Sequence, residues 1–206
     1  MMNRVRVRFR KQGDFRLTSH RDLMRAVERL FRRADVKICE TEGFHPKPRV
    51  HYPASLALGM TGLDEVLEAD LAEEISPDEL LVRMNAQTIP GLEFTSVEPM
   101  PIDVKRGQPR QLCFQATVPA GHARTLEAKV AEFVAAKSWL IDRDKKRFDI
   151  RPLIAELSYA EPLLTMKLLV VNEANARPRD VLEALGFTAE EFVELDITRT
   201  QVEMVA

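Results

Sequence analysis

Residues 4 to 11 read Arg-Val-Arg-Val-Arg-Phe-Arg-Lys, an unbroken period-two alternation. Successive side chains of an extended chain point to opposite sides, so Val5, Val7 and Phe9 share one face and Arg4, Arg6, Arg8 and Arg10 the other. This is a half-buried strand, and it requires an architecture whose sheet is covered by apolar elements on one side. Ser19 with Asp22 three residues on is a capping-box start, and Leu23, Val27, Leu30, Phe31 and Ala34 then recur on one helical face for about four turns. Val36 to Cys39 reads as a short strand, the Pro46, Pro48 and Pro53 run as an extended loop, and Leu67, Ala69 and Leu71 as an alternating acidic strand. Ser76-Pro77-Asp78-Glu79 caps a second helix to about Thr88, Pro90-Gly91 stops it, and Leu92 to Val97 forms a last strand.

The order strand-helix-strand-strand-helix-strand is the ferredoxin-like pattern. Pro99 to Pro109 reads as a connector. Beyond it Leu112, Phe114, Ala116 and Val118 alternate as a strand, and Leu126, Val130, Phe133, Val134 and Lys137 mark a helix stripe. Trp139 to Ile141, Leu153 to Tyr159 and Leu163 to Val171 read as strands, Pro178 to Leu185 as a helix closed by Gly186, and Phe192 to Val205 as a terminal strand region. The expected fold is α+β, two tandem ferredoxin-like (βαββαβ) halves with mainly antiparallel sheets, divided at 1–104 and 105–206. With 206 residues, 45 % of them apolar, the chain can bury a core without disulfide staples. Cys39 and Cys113 form no CxxC or His/Cys cluster, which points away from a zinc site and towards a reducing cytosol. The longest apolar run, near Leu163 to Val171, is broken by Thr165 and Lys167, so no membrane span or export signal is expected. No metal and no cofactor are expected.

The net charge of −2 conceals a strong internal asymmetry. Residues 1–55 hold fourteen lysines and arginines against six acids, whereas residues 56–104 hold one against eleven. Segregation of this size steers charged partners and points to an anion ligand, RNA first. The sharpest local signal is the first helix, where Arg21, Arg25, Arg29 and Arg32 form a stripe about 180° from the apolar residues, with Arg33 at its edge. Repulsion across the 21/25, 25/29 and 29/33 pairs costs on the order of 1 kcal/mol at low salt. The alternative is a solvated face partly balanced by Asp22 and Glu28.

Other basic residues carry less. In a ferredoxin-like sheet the first strand neighbours the third, so Glu68 and Asp70 stand opposite Arg6 or Arg8 and would neutralise much of that row. The segment Gly43-Phe44-His45-Pro46-Lys47-Pro48-Arg49 joins a glycine hinge, an aromatic ring and phosphate donors on a proline-stiffened backbone, or else is a rigid connector that plugs Phe44 into the core. His20 could carry protons, with Asp22 orienting it, only if a reacting group lies within hydrogen-bond reach. His51 and His122 have no ligand-like spacing, and Arg143-Asp144-Lys145-Lys146-Arg147 reads as a hairpin tip.

Lys11-x-Gly13-Asp14, Ser19-His20-x-Asp22, Arg32-Arg33-Ala34, Gly43-Phe44-x-Pro46-x-Pro48-Arg49, Leu56-x-Leu58-Gly59 with Glu65 beyond, and Asp149-Ile150-Arg151-Pro152 together resemble the bacterial radical-SAM-linked domain family, a domain of unknown function. The resemblance implies a link to RNA or ribosome modification. A radical-SAM cluster takes three closely spaced cysteines, which this chain lacks, so the enzyme would act in trans.

Three functions follow as expectations. The first is a non-catalytic RNA- or ribosome-binding accessory protein partnered by a separate radical-SAM enzyme. Its phosphate-binding candidates are Lys11, Ser19, His20, Arg21, Arg25, Arg29, Arg32, Arg33, His45, Lys47 and Arg49, with Arg151 in the second half. The second is an RNA-modifying or RNA-cleaving enzyme using His20 and Asp22. The third is a protein-interaction subunit docking through the acidic segment 64–79.

Overall fold

The computed structural model describes residues 3–143, 146–171 and 174–205. It is a mixed α+β protein with mainly antiparallel sheets, and its chain divides into two units after Gln108. In the first unit β1 (Asn3–Lys11) lies between β3 (Thr61–Leu71) and β4 (Leu92–Met100), and the short β2 (Val50–His51) pairs with the far edge residues Ala69 and Glu68 of β3. All three pairings are antiparallel, in the order β4-β1-β3-β2.

Alternation decides which face of this sheet is dry. Val5, Val7 and Phe9 of β1 and Leu67, Ala69 and Leu71 of β3 are buried in one cluster with Leu23, Val27, Leu30 and Phe31 of α1 (His20–Arg33) and Leu80 and Met84 of α2 (Pro77–Asn85). Both helices therefore cover the same face. Their starts are capped as their sequences require: the Ser19 hydroxyl accepts from the Asp22 N–H at 3.1 Å, and Ser76 accepts from the Glu79 N–H at 3.2 Å with Pro77 in the first turn.

The opposite face carries a charged ladder. The register sets Arg4 beside Asp70 and Arg6 beside Glu68, and the pairs close at 2.8 and 2.9 Å, while Arg8 pairs with Asp64 and Arg10 with Glu93 at 3.1 Å. Arg106 adds a second guanidinium to Asp70 at 2.8 Å and also donates to the Glu68 carbonyl, and the Gly107 N–H donates to the Glu68 carboxylate. Segment 101–108 is thus fastened to the first unit. Glu68 and Asp70 are 0 % and 2 % exposed, so Arg4 and Arg6 are spent on internal carboxylates.

In the second unit β5 (Pro109–Thr117) lies between β9 (Leu163–Val171) and β11 (Asp196–Met204), and β8 (Ile154–Ala160) pairs with β9, again all antiparallel. The order β11-β5-β9-β8 repeats that of the first unit strand for strand. Leu112, Phe114 and Ala116 of β5 and Leu164, Met166 and Leu168 of β9 are buried, as are Leu126, Val130 and Phe133 of α3 (Ala123–Ala135) and Val181 and Leu182 of α4 (Pro178–Ala184). A hairpin of β6 (Leu140–Arg143) and β7 (Lys146–Asp149) is inserted after α3, and β10 (Ala174–Asn175) adds two residues to β9.

Three local expectations are corrected. Val36 to Cys39 is not a strand: Ile38 makes a lone bridge to Leu71, and the paired strand at that edge is Val50–His51, because the edge of β3 is shared between two short stretches of chain. The terminal region expected as a strand from Phe192 begins instead with α5 (Ala189–Glu194), started by a reciprocal Thr188/Glu191 capping box that precedes too few residues to show a helical period. Trp139 lies outside β6, its N–H held by the Asp149 carboxylate at 2.9 Å.

Candidate anion-binding face

The α1 face bears out the geometry that its spacing predicts. Arg21, Arg25, Arg29, Arg32 and Arg33 are all exposed, while Leu23, Val27, Leu30 and Phe31 are buried on the other side. Arg25 makes one long, exposed pair with Asp22 at 3.5 Å, and Arg33 donates to the Gln87 carbonyl at 2.7 Å. Among the described residues Arg21, Arg29 and Arg32 have neither an ion pair nor a hydrogen-bond partner. Three guanidinium groups thus stand in water on one helix, each a fork of donors matched to phosphate oxygens.

Beside the C-terminal half of α1 the chain forms a hairpin. Glu40 bridges to Pro48, the Thr41 N–H donates to the Lys47 carbonyl at 2.8 Å, the Lys47 N–H donates to the Thr41 hydroxyl at 3.0 Å, and the Arg49 N–H donates to the Cys39 carbonyl at 2.7 Å. Gly43 turns the tip with φ +123°, a value that side-chain-bearing residues rarely adopt. Phe44 is fully exposed there, so it does not plug into the core, and His45 and Lys47 are exposed with it. Arg49 is half-buried, and its carbonyl accepts from Arg106 and from the Asp70 N–H.

Between this hairpin and α1 lies an open groove of about 300 Å³. Phe31, Val36, Ile38, Pro46 and Pro48 give it apolar walls, and Arg32, Glu28 and Glu40 bring charge to it. The groove sets Arg32 of the arginine row beside Pro46 and Pro48.

At the start of α1 stand the proton-carrier candidate His20 and its expected orienting partner Asp22. His20 lies edge-on against Tyr52, with ring centroids 5.3 Å apart. The Asp22 carboxylate accepts from the Ser19 hydroxyl at 2.7 Å and faces Arg25 at 3.5 Å. The Tyr52 hydroxyl is buried without a hydrogen-bond partner among the described residues, and burial, then the nearby Glu28 carboxylate, push the phenol above its ordinary range.

Two phosphate candidates are corrected. Lys11 is wholly buried at the end of β1, its ammonium donating to the Thr18 carbonyl at 2.7 Å, and a buried ammonium cannot meet a ligand at the surface. Arg151 spends its guanidinium on the carbonyls of Ala136, Ile154 and Val134 at 3.0 to 3.1 Å, tying the end of α3 to the start of β8. Within the basic hairpin 143–147, Asp144 and Lys145 lie outside the described residues, while Arg143 is drawn inward to Asp180 at 3.0 Å and the Asn175 carbonyl at 2.9 Å.

In the acidic stretch 64–79 the carboxylates divide between internal partners and water, with Glu74, Asp78 and Glu79 exposed. Glu65, Glu68 and Asp70 are buried, Asp64 pairs with Arg8, Glu73 accepts from the Lys37 N–H, and Glu79 pairs with Arg83. The buried carboxylate ladder itself is legible in the sequence as alternating acids opposite alternating arginines. Arg106 is the member that sequence reasoning missed, because it lies in a segment read as a connector.

Among the described residues no group of three or more His, Cys, Asp or Glu side chains could hold a metal ion, and no helix is long and apolar enough to cross a membrane.

These features define an antiparallel α+β protein with a cationic helix face. The chain belongs to the family described as "Uncharacterized protein conserved in bacteria (DUF2344)", whose model matches residues 4–178. That description makes no mention of radical-SAM chemistry. No curated protein matches the chain. A crystal structure of an unknown protein from Galdieria sulphuraria is similar over 100 % of both chains at 12 % identity, with a TM-score of 0.30, too low to bear on fold or function.

Proposed function

We propose that this protein is a non-catalytic RNA- or ribosome-binding accessory factor, built from two ferredoxin-like halves, that works with a separate radical-SAM enzyme in trans. The observation that carries the RNA reading is the row of Arg21, Arg29 and Arg32 on α1, exposed and without internal partners among the described residues. Arginines that served stability alone would be paired, as Arg4, Arg6, Arg8 and Arg10 are on β1. Leaving like charges aligned on a helix costs energy, and a polyanion recovers it by binding along the row with release of counterions. The ferredoxin-like reading is supported by the strand orders β4-β1-β3-β2 and β11-β5-β9-β8, each with two helical connections. The partner enzyme rests on the motif resemblance alone.

Filter binding of the protein to cellular RNA across a salt series tests the proposal. If about five phosphates are neutralised, the log affinity falls with log salt at a slope of about −3 to −5. The double change Arg25→Glu, Arg29→Glu abolishes retention and leaves the unfolding free energy within about 0.5 kcal/mol of the parent, since both side chains face water. A flat salt response, or equal binding by the double variant, removes the reading. Co-purification from native cells with mass spectrometry tests the enzyme partner, and absence of any radical-SAM enzyme from the captured proteins rejects that half.

A further inference from the structure

Phe44 is the aromatic side chain of the hairpin, and it stands at the tip in water. Its ring is fully exposed, at a tip closed by the Thr41 and Lys47 hydrogen bonds and followed by Pro46 and Pro48. A hairpin whose backbone is already pinned needs less ordering to present its tip to a partner. The charge around it indicates what that partner is. The descending arm carries His45, Lys47 and Arg49, and its prolines share the open groove with Arg32 of the arginine row. Glu28 and Glu40 on the groove and Glu42 on the ascending arm keep phosphates away from those positions, leaving α1 and Lys47 as the track for a phosphate backbone. A flat apolar face beside a phosphate track is the combination by which single strands are held: phosphates on the cations, a base on the ring.

We propose that Phe44 is a stacking platform for an unpaired nucleobase, so that the ligand of this face is single-stranded RNA or an unpaired loop rather than a regular duplex. This deepens the RNA-binding reading and rests on it. In a duplex the bases are already stacked on each other, and an exposed ring has no base face to meet.

The test is fluorescence anisotropy with a labelled 12-nucleotide single-stranded RNA, the same sequence as a duplex, and an abasic version of it, at several salt concentrations. Stacking of this kind is worth about 5- to 150-fold in affinity per base. Phe44→Ala weakens single-strand binding by a factor in that range, leaves the salt slope unchanged, and has no effect on the duplex or the abasic strand. Phe44→Leu, which keeps apolar bulk without an aromatic face, loses as much as Phe44→Ala. Phe44→Trp binds as the parent does, and its added emission is quenched by the single strand.

Salt-sensitive binding that is indifferent to Phe44→Ala overturns this inference and leaves the arginine reading standing. Parent-like binding by Phe44→Leu overturns it in favour of an apolar anchor such as a protein pocket would take. Failure of the wild-type protein to bind any of the three strands overturns both readings together.

Discussion

Asp70 shows how much a single buried carboxylate can hold. It accepts from Arg4 and Arg106, both at 2.8 Å, and is almost wholly buried. Removing one partner of a buried charge cluster strands the others, a loss of about 3–5 kcal/mol. Asp70→Ala is therefore expected to lower the unfolding free energy by about that amount in urea titration, and a loss under about 1 kcal/mol would show that the cluster is not a stabilising unit. His51 stands close by, and burial, then the Arg106 charge, hold its imidazole below the ordinary 6.5. The folded state thus binds this proton more weakly than the unfolded chain does, so stability is full above pH 6.5 and is lost as pH falls from there through the lowered value. His51→Gln should make the unfolding midpoint fall less between pH 6.5 and the acid side. Superimposable pH profiles for the two proteins would exclude the histidine as a contributor.

Turns and caps decide how the elements join. Gly91 links α2 to β4 with φ +87°, its carbonyl accepts from the Gln12 N–H at 2.8 Å, and a Cβ there would lie 2.3 Å from the Gln12 carbonyl oxygen and 2.7 Å from Phe15 Cβ. Both the backbone conformation and the space forbid a side chain. Gly91→Ala is expected to cost at least about 1–2 kcal/mol from the left-handed conformation, with the clash added. Thermal unfolding reads this directly, and an unchanged midpoint would mean that the turn relaxes freely. The Pro90-Gly91 pair announces this turn in the sequence, as Ser19 and Ser76 announce their helices. The six residues of α5 and the two of β2 show no period, since fewer than two turns of helix or a single pair of strand residues is too short to repeat one.

Net charge says little about this protein, whereas the placement of each charge says a great deal. The β1 arginines and the α1 arginines are equally visible as cations, yet the first are matched by carboxylates across the sheet and the second are not. Two substitutions that change the total charge equally should therefore act differently. Arg21→Gln with Arg29→Gln reduces the magnitude of the salt slope for RNA binding by about 1.5 to 2, whereas Arg8→Gln with Arg10→Gln leaves it unchanged. Equal reduction by both pairs would mean that overall charge, not the helix face, draws the ligand.

The two faces of β1 and α1, the helix starts and the exposed arginine row follow from local spacing, because side chains a few residues apart on a regular backbone have fixed relative directions. Pairing across the first sheet was legible for the same reason once strand order was assumed. The fates of Lys11, Arg151, Arg106 and Phe44 were not. Lys11 is covered by its neighbours, Arg151 caps the end of α3, Arg106 returns 36 residues along the chain to Asp70, and Phe44 is carried outward by a hairpin closed between Thr41 and Lys47. Each depends on which parts of the chain come to lie beside it, and no period or composition encodes that; the packed backbone alone decides whether a lysine is buried or an aromatic ring meets water.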